Sequence, residues 1–317
     1  MTTVDMQLDV LTAGEAMMLF AARQTGSLDV VGSFNRTTAG AELNVAIGLA
    51  RLGLRVGYLS RLGNDTFGRY IAAALDKEGI DRRHVAWDNE RATGFMLKSR
   101  NDDGSDPQVE YFRRGSAASH MNAGELDNVY CSSARHIHLT GIYVGVSPST
   151  QNMIFDLATK ARETGRSISF DPNLRPTLWR SQDEMVACLN RLSTLCDWIL
   201  PGLSEGQLLT GQSSVQGIAD FYLERGAKCV VVKLGAEGAY YANAGGNGFI
   251  PSVCVPLIVD TVGAGDGFAV GVISGLLEGL TLKDATVRGN AIGARVVQFP
   301  GDSEGLPTRN ELNAMLN

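Results

Sequence analysis

The sequence predicts an α/β protein: a mostly parallel β-sheet with helices on both faces, plus a small antiparallel β-sheet that forms a lid. From residue 135 onward, short apolar runs alternate with longer helical runs, as in parallel sheets buried on both faces. Between residues 84 and 114, three short runs alternate polar and aromatic residues, which indicates a second, half-exposed sheet. The 37 glycines are consistent with many tight turns.

The first 115 residues contribute to both predicted sheets. Two apolar strands at 8–13 and 16–22 follow each other so closely that they are expected to lie in different sheets. Two helices show apolar residues at helical spacing and a glycine just beyond their ends. The further elements expected here are a helix at 39–52, a strand at 55–61, a helix at 65–78, and lid strands at 84–88, 93–100 and 109–114, the last two joined by a turn at 101–104.

The remaining two thirds repeat a strand–helix pattern. Strands are expected at 136–139, 167–171, 198–200 and 229–234, with helices at 148–164, 182–195, 204–210 and 215–225. A hairpin at 239–242 and 248–250, a short apolar strand at 255–259 and helices at 264–278, 282–297 and 308–316 complete the chain. With no long linker, we expect one domain over residues 1–317, carrying a discontinuous lid from about 16–38 and 84–115.

Composition excludes several classes of function. The net charge of −6 and the pI near 5.3 argue against a nucleic-acid or anionic-membrane surface. Five scattered cysteines form no C-x-x-C pair, which suits reduced thiols. The first fifteen residues carry two Asp and one Glu and lack the pattern of a secretory signal, so we expect a cytoplasmic protein.

The chemistry is concentrated at residues 260–266, Asp-Thr-Val-Gly-Ala-Gly-Asp, which open a nearly all-apolar helix. A helix start leaves N–H groups unpaired, and glycines there let a phosphate approach the backbone. An acid at this position, Asp266, suits a base that receives a hydroxyl proton beside a phosphoryl group in transfer. The alternative is a glycine-rich turn with Asp266 as a helix cap. No Walker A motif is present. Residues 263–268 do not match the G-x-G-x-x-G pattern either, because its last position is Phe268.

Residues 260–266 resemble the carboxyl-terminal signature of the ribokinase-like sugar kinases of the phosphofructokinase-B type. Residues 39–46, Ala-Gly-Ala-Glu-Leu-Asn-Val-Ala, resemble the family's amino-terminal signature, although Ala39 stands where the family usually has a first glycine. The order of elements also resembles the family's over essentially the whole chain. The resemblance implies ATP-dependent phosphorylation of a sugar hydroxyl. It also implies a Mg²⁺ ion between the nucleotide phosphates and leaves open activation by a monovalent cation such as K⁺.

The resemblance assigns roles to individual positions. Asp266 would be the base, and the backbone N–H groups of Gly263, Ala264 and Gly265 would hold the moving phosphoryl group. Gly40 and Asn44 of the amino-terminal motif would contact the sugar; for Asn44, the alternative is a satisfied buried amide.

The resemblance also marks a nucleotide side. Gly235 and Gly238, together with Gly263 and Gly265, would border the nucleotide through their backbone. Asn290 would lie beside the adenine. Glu205 would face Mg²⁺ through water. The family usually has Asn where this chain has Gly202.

The sugar is indicated by two other segments. Residues 170–179 are similar to fructokinases and to 2-keto-3-deoxygluconate kinases, and residues 111–119 are closer to the second branch. Tyr111, Arg113, Arg175 and Asp302 would then bind the sugar, since the planar fork of arginine matches a carboxylate. The alternatives are that Arg113 pairs with Glu110 or Asp106, that Arg175 is a surface residue and that Asp302 is a turn aspartate.

We therefore expect phosphorylation of the terminal hydroxyl of a small sugar acid, 2-keto-3-deoxygluconate, to its 6-phosphate. One alternative is a fructokinase or another neutral-sugar kinase of the same family. Another is a non-catalytic sensor of sugar or nucleotide. Exposed strand edges on the lid favour a homo-oligomer.

Overall fold

The computed structural model describes residues 8–101 and 107–316. In the described residues the strands are β1 (Leu8–Ala13), β2 (Met17–Thr25), β3 (Phe34–Ala39), β4 (Val56–Gly63), β5 (Val85–Asp88), β6 (Phe95–Arg100), β7 (Val109–Phe112), β8 (Ala134–Thr140), β9 (Ser167–Asp171), β10 (Trp198–Ile199), β11 (Cys229–Lys233), β12 (Ala239–Asn243) and β13 (Gly246–Ile250). The helices are α1 (Ala41–Arg51), α2 (Thr66–Lys77), α3 (Asn128–Ser133), α4 (Gly141–Val146), α5 (Pro148–Glu163), α6 (Gln182–Ser193), α7 (Leu203–Thr210), α8 (Val215–Leu223), α9 (Ala264–Leu277), α10 (Leu282–Val296) and α11 (Arg309–Leu316).

The main sheet has nine strands in the order β13-β12-β11-β10-β9-β8-β1-β4-β5. Its pairs are parallel from β5 to β11, and the β11–β12–β13 edge is antiparallel. Alternate residues of each strand face two separate apolar cores. Leu11, Ile137 and Phe170 belong to the core under α4–α6 and α8, whereas Val10 and Val231 belong to the core under α1, α9 and α10. The predicted parallel sheet with helices on both faces is confirmed.

The predicted second sheet is also present, with strand order β3-β2-β6-β7. It is mixed rather than antiparallel, because β2 and β6 run parallel. The chain between these two strands crosses the main sheet through β4 and β5, and such a crossover, unlike a hairpin, returns the next strand in the same direction. Phe67 on α2 packs edge-on against Phe20 and Phe95 of this sheet, with ring centroids 5.6 and 5.7 Å away, and so anchors the lid to the main body.

Two expectations about strands are wrong, and one strand was not predicted. The strand near 84–88 pairs with β4 at the edge of the main sheet and does not join the lid. The polar strand β3 had no apolar pattern that would reveal it, but it pairs with β2 along its whole length. The run 255–259 is an exposed loop: Leu257 is 65% exposed, and the N–H of Val259 bonds to the carbonyl of Val297 instead of to a neighbouring strand.

The predicted turn at 101–104 lies outside the described residues from position 102 on. The structure also contains two short helices, α3 and α4, that were not predicted from the sequence. Across 8–101 and 107–316, no helix combines the length and apolarity needed to cross a membrane.

Candidate active site

A cavity of about 430 Å³ lies where the carboxyl ends of the central strands meet the lid. Ligands of open α/β sheets bind at this edge. Its walls come from segments far apart in the chain: the ends of β1 and β11, the starts of α1 and α9, and the lid. Its lining includes Glu15, Gly40, Glu42, Asn44, Met96, Tyr111, Arg113, Arg175, Glu205, Lys233, Gly263, Gly265, Asp266 and Asp302.

The glycine turn that begins α9 requires glycine at its first position. Gly263 is the N-cap residue and has a left-handed backbone, with φ 83° and ψ −11°. A Cβ atom at Gly263 would also collide with the backbone of Asp302. Because 255–259 is a loop, no strand holds this turn in place. The close packing of α9 on α10 holds the turn instead, since a Cβ atom at Gly271 would clash with the backbone of Gly289 on α10.

Asp266, in the first turn of α9, is 8% exposed and faces the cavity. Asn44 Nδ2 donates to Asp266 Oδ2 at 2.7 Å, so the two predicted motifs meet although they are 222 residues apart. Burial raises the pKa of Asp266 to about 7; the Asn44 hydrogen bond and the charge of Lys233 oppose this shift, and the charges of Asp171 and Asp302 add to it. This carboxyl can therefore exchange a proton near neutral pH.

A buried ion pair lies beside the same turn, and sequence reasoning gave it no role. Lys233 Nζ is 2.6 Å from Asp171 Oδ2, and a Cβ atom at Gly265 would be 3.7 Å from this ammonium group. Burial raises the pKa of Asp171 to about 6 against the opposing charge of Lys233. Burial alone would lower the pKa of Lys233, but the charge of Asp171 reverses that effect and raises it. The only sequence signal was the position of both residues at strand ends.

The other end of the cavity carries three of the predicted sugar-binding residues, Tyr111, Arg113 and Arg175. Arg113 Nε donates to Glu15 Oε2 at 2.7 Å, and Ser116 Oγ donates to Glu15 Oε1 at 2.5 Å. Arg113 thus pairs with Glu15 and not with Glu110, and the other expected partner, Asp106, lies outside the described residues. Arg175 Nη1 donates to the neighbouring carbonyl of Leu174 at 2.8 Å, and among the described residues it has no acidic partner.

Tyr111, Arg113 and Arg175 also line a second cavity of about 670 Å³ that adjoins the first. Tyr111 is 45% exposed. The structure thus brings these three predicted residues together at the boundary between two cavities.

Asp302 lines the cavity but is already engaged. Its Oδ1 is 2.7 Å from Lys98 Nζ, and the same ammonium group is 2.7 Å from Asp260 Oδ2. Burial raises the pKa of Asp302, and the charge of Lys98 opposes this shift. Lys98 was not predicted, and its only sequence signal was an alternating pattern in β6.

The predicted metal residue Glu205 caps a helix and also faces the cavity. Its carboxylate accepts the N–H of Gly202 at 2.7 Å, which caps the start of α7, and the N–H of Leu174, in the segment after β9, at 2.8 Å. Within the described ranges, no three His, Cys, Asp or Glu side chains are arranged to hold a metal ion. A carboxylate has about four acceptor sites, so Glu205 retains capacity for a water molecule.

The predicted nucleotide residues away from the turn do not line this cavity. Asn290 is buried and donates to the carbonyls of Ile250 and Pro251 at 3.1 and 2.9 Å. Gly238, with φ 109°, packs directly against the backbone of the same segment. Gly235, with φ 58°, forms the turn after β11. Asn290 and Gly238 therefore meet around residues 250–251, beside the loop that leads to Gly263.

Comparison with known proteins identifies the class. Residues 7–309 match the description pfkB family carbohydrate kinase, and the chain belongs to this family. The predicted family and fold are therefore confirmed, and by its family the protein is a carbohydrate kinase.

Individual relatives cover nearly the whole chain. The 2-dehydro-3-deoxygluconokinase of Bacillus subtilis (strain 168) is 50% identical over 98% of this chain and 96% of the relative. The crystal structure of the PfkB protein from Polaromonas sp. JS666 is 52% identical, with a TM-score of 0.90 over 97% of this chain and 99% of that one. A putative ribokinase II from E. coli, solved in complex with ATP and Mg²⁺, is 28% identical, with a TM-score of 0.90 over 98% and 99% of the two chains.

Proposed function

We propose that this protein transfers the γ-phosphoryl group of ATP to the terminal hydroxyl of 2-keto-3-deoxygluconate, giving the 6-phosphate. The observation that carries the proposal is one cavity with Asp266 and the glycine turn at one end and Arg113 and Arg175 at the other. The 50% identity to a 2-dehydro-3-deoxygluconokinase supports it, since this is another name for a kinase of the same sugar acid.

Asp266 acts as the base in this proposal. Asn44 holds Oδ2, which leaves Oδ1 to accept the hydroxyl proton of the sugar. As the sugar oxygen bonds to the γ-phosphorus, the bond to the leaving ADP oxygen breaks and the proton passes to Asp266. A pKa of about 7 suits this role, because a base works best when its pKa lies near the working pH.

The start of α9 stabilises the charge of the phosphoryl group in transfer. The N–H groups of Gly263, Ala264 and Gly265 lie at a helix start, which carries partial positive charge and leaves donors unpaired. Of the three, the N–H of Ala264 makes a long hydrogen bond, 3.4 Å, to the carbonyl of Thr261. In the transition state the charge is spread over the peripheral phosphoryl oxygens. Preorganised donors stabilise such charge without rearrangement. Lys233, beside Gly265, adds a positive charge at the same place.

Arg175 and Arg113 select an acid as substrate. Arg175 has free guanidinium donors and no acidic partner in the described chain, so a carboxylate ligand would complete its interactions. Glu15 holds Arg113 through Nε and Nη2, which fixes the orientation of the guanidinium plane. Tyr111 lies beside them, with Arg113 5.9 Å from its ring centre.

The Glu15–Arg113 pair also supports the second candidate, a fructokinase or another neutral-sugar kinase. An arginine whose charge Glu15 already balances has less to offer a carboxylate. Against this stands Arg175, which has no such acidic partner within 8–101 and 107–316. A non-catalytic sensor is disfavoured, because it has no need of a buried carboxyl with a raised pKa at an anion-binding turn.

ATP and Mg²⁺ fit the residues present. The bound ion would neutralise charge on the nucleotide phosphates. Glu205, whose carboxylate keeps free acceptor sites, would hold a water molecule of that ion. Gly235, Gly238 and Asn290 would shape the nucleotide side through the segment around residue 250. Activation by K⁺ stays a prediction, as do the cytoplasmic location, the single domain with its lid, and a homo-oligomer built on lid edges.

A panel of sugars tests the proposal. With ATP and Mg²⁺, a coupled assay of ADP release should give a much higher kcat/KM for 2-keto-3-deoxygluconate than for fructose or ribose. Parallel samples with 2-keto-3-deoxygalactonate compare the epimers, and samples without sugar report background ATP hydrolysis. A higher kcat/KM for fructose or ribose would contradict the acid-substrate proposal and support the neutral-sugar kinase.

A further inference from the structure

Lys98 joins the lid to the part of the main body that carries the glycine turn. It lies on β6 of the lid, and its side chain is 3% exposed. Its ammonium group is 2.7 Å from a carboxylate oxygen of each of two acids, Asp260 and Asp302. Neither acid belongs to the lid: Asp260 precedes the turn, and Asp302 lies in the loop after α10.

Both acids also hold the turn itself. Asp260 Oδ1 accepts the N–H of Val262 at 3.1 Å, one residue before Gly263. Asp260 Oδ2, which faces Lys98, also accepts the N–H of Gly301 at 3.3 Å. The backbone of Asp302 packs directly on Gly263. Lys98 is therefore the cation between two acids that both contact the turn.

The same strand also covers the sugar cavity. Met96 is two residues before Lys98, so both side chains point to the same face of β6. Met96 is 4% exposed and lines the cavity. One rigid strand thus places an apolar side chain over the sugar and an ammonium group on the supports of the anion-binding turn.

We propose that Lys98 is a positioning residue for phosphoryl transfer, which fixes the glycine turn to the lid and so aligns the N–H groups that receive the phosphoryl charge. The inference rests on the proposed function only in assigning that role to the turn. Without the ammonium group, two close and largely buried carboxylates lack a counter-charge. They would move apart or take up protons, and the turn between them would lose its alignment.

The test compares Lys98→Met, which keeps most of the apolar stem, with Arg36→Ala. Arg36 is a matched control: it is an exposed cation of the same lid, on β3, and it stacks 4.4 Å from the ring centre of Tyr70 on α2. Lys98→Met should lower kcat at least tenfold, because even one lost donor to a developing oxyanion costs about 10²–10³ in kcat. KM for ATP should change little, and Arg36→Ala should match the parent.

A second readout needs no substrate. Hydrogen exchange followed by mass spectrometry should show faster amide exchange at residues 258–266 in Lys98→Met, but not in Arg36→Ala. In Lys98→Ala, added ethylammonium should restore part of the lost kcat by occupying the vacated position. Activity is read with whichever sugar the parent phosphorylates, so an error in the proposed substrate does not affect this test.

The outcomes are decisive in both directions. Parental kcat and parental exchange in Lys98→Met would overturn the proposal, as would a fall in kcat with unchanged exchange at 258–266. If Lys98→Met does not fold, Asp260→Asn weakens only one of the two pairs. This variant should give a smaller fall in kcat with faster exchange at the turn, and parental values for both would overturn the proposal.

Discussion

The two ends of the active-site cavity differ in how their charges are balanced. At the phosphoryl end, buried charges are paired within the chain: Lys233 with Asp171, and Lys98 with Asp302. At the sugar end, Arg175 has no acidic partner among the described residues, and Tyr111 is half exposed. The first end is organised before any ligand arrives, whereas the second keeps a positive charge that a ligand can satisfy. The difference indicates that internal ion pairs organise the groups for phosphoryl transfer, whereas charged groups without a partner at the sugar end select the substrate.

The largest effect is expected at the organised end. Asp266→Asn keeps the size of the side chain but removes the proton acceptor, so kcat should fall by about 10³- to 10⁴-fold, the upper range for general-base catalysis. Binding of ATP and sugar should change little. Single-turnover kinetics and a thermal melt check both points. Turnover within tenfold of the parent would remove Asp266 from the role of base.

A smaller effect, confined to one substrate, is expected at the sugar end. Arg175→Ala should raise KM for the sugar acid by about 10- to 100-fold, since a hydrogen bond to a charged group contributes about 1.5–3 kcal/mol. KM for ATP should stay near the parent value. Arg180→Ala, at an exposed arginine on the same segment, is the matched control. An equal rise in both KM values would place Arg175 on the nucleotide side or in a structural role.

The smallest expected effect is a dependence of rate and stability on pH. It concerns the carboxyl of Asp266 at the phosphoryl end. Because the pKa of Asp266 is about 7, kcat/KM should rise as the pH passes through 7 and the base loses its proton. Stability should change in the opposite sense. A pKa raised in the folded state contributes stability that is complete below the unfolded value near 3.8 and is lost as the pH rises to about 7.

Urea unfolding at pH 5 and pH 8 measures the second effect. The parent should lose about 1–3 kcal/mol more stability than Asp266→Asn between these two values. Asp171 titrates in both proteins, and because its charge also raises the pKa of Asp266, the difference reports Asp266 together with its coupling to Asp171. Equal losses, together with a flat rate profile between pH 6 and 8, would show that the carboxyl has an ordinary pKa and that the two ends differ less than proposed.

Most elements were predictable because their patterns are local. The strands at 8–13 and 167–171 were predicted with the bounds that the structure has, since closely spaced apolar residues in a short run indicate a buried strand. The run at 255–259 is also apolar but contains Pro256, and it lies exposed as a loop in which the N–H of Val259 bonds to the carbonyl of Val297. The strand β5 was predicted, but its sheet was not, because a four-residue run carries no information about its partner.

The sequence alone determined the class of reaction. An anion-binding turn and its base occupy seven consecutive residues, so one short motif carries both groups. Only the tertiary structure decided how the charges are balanced. Lys98 meets acids 162 and 204 residues away, and Arg113 meets Glu15 across 98 residues. Such pairs depend on which segments the fold brings within about 3 Å, and neither composition nor spacing along the chain records that distance.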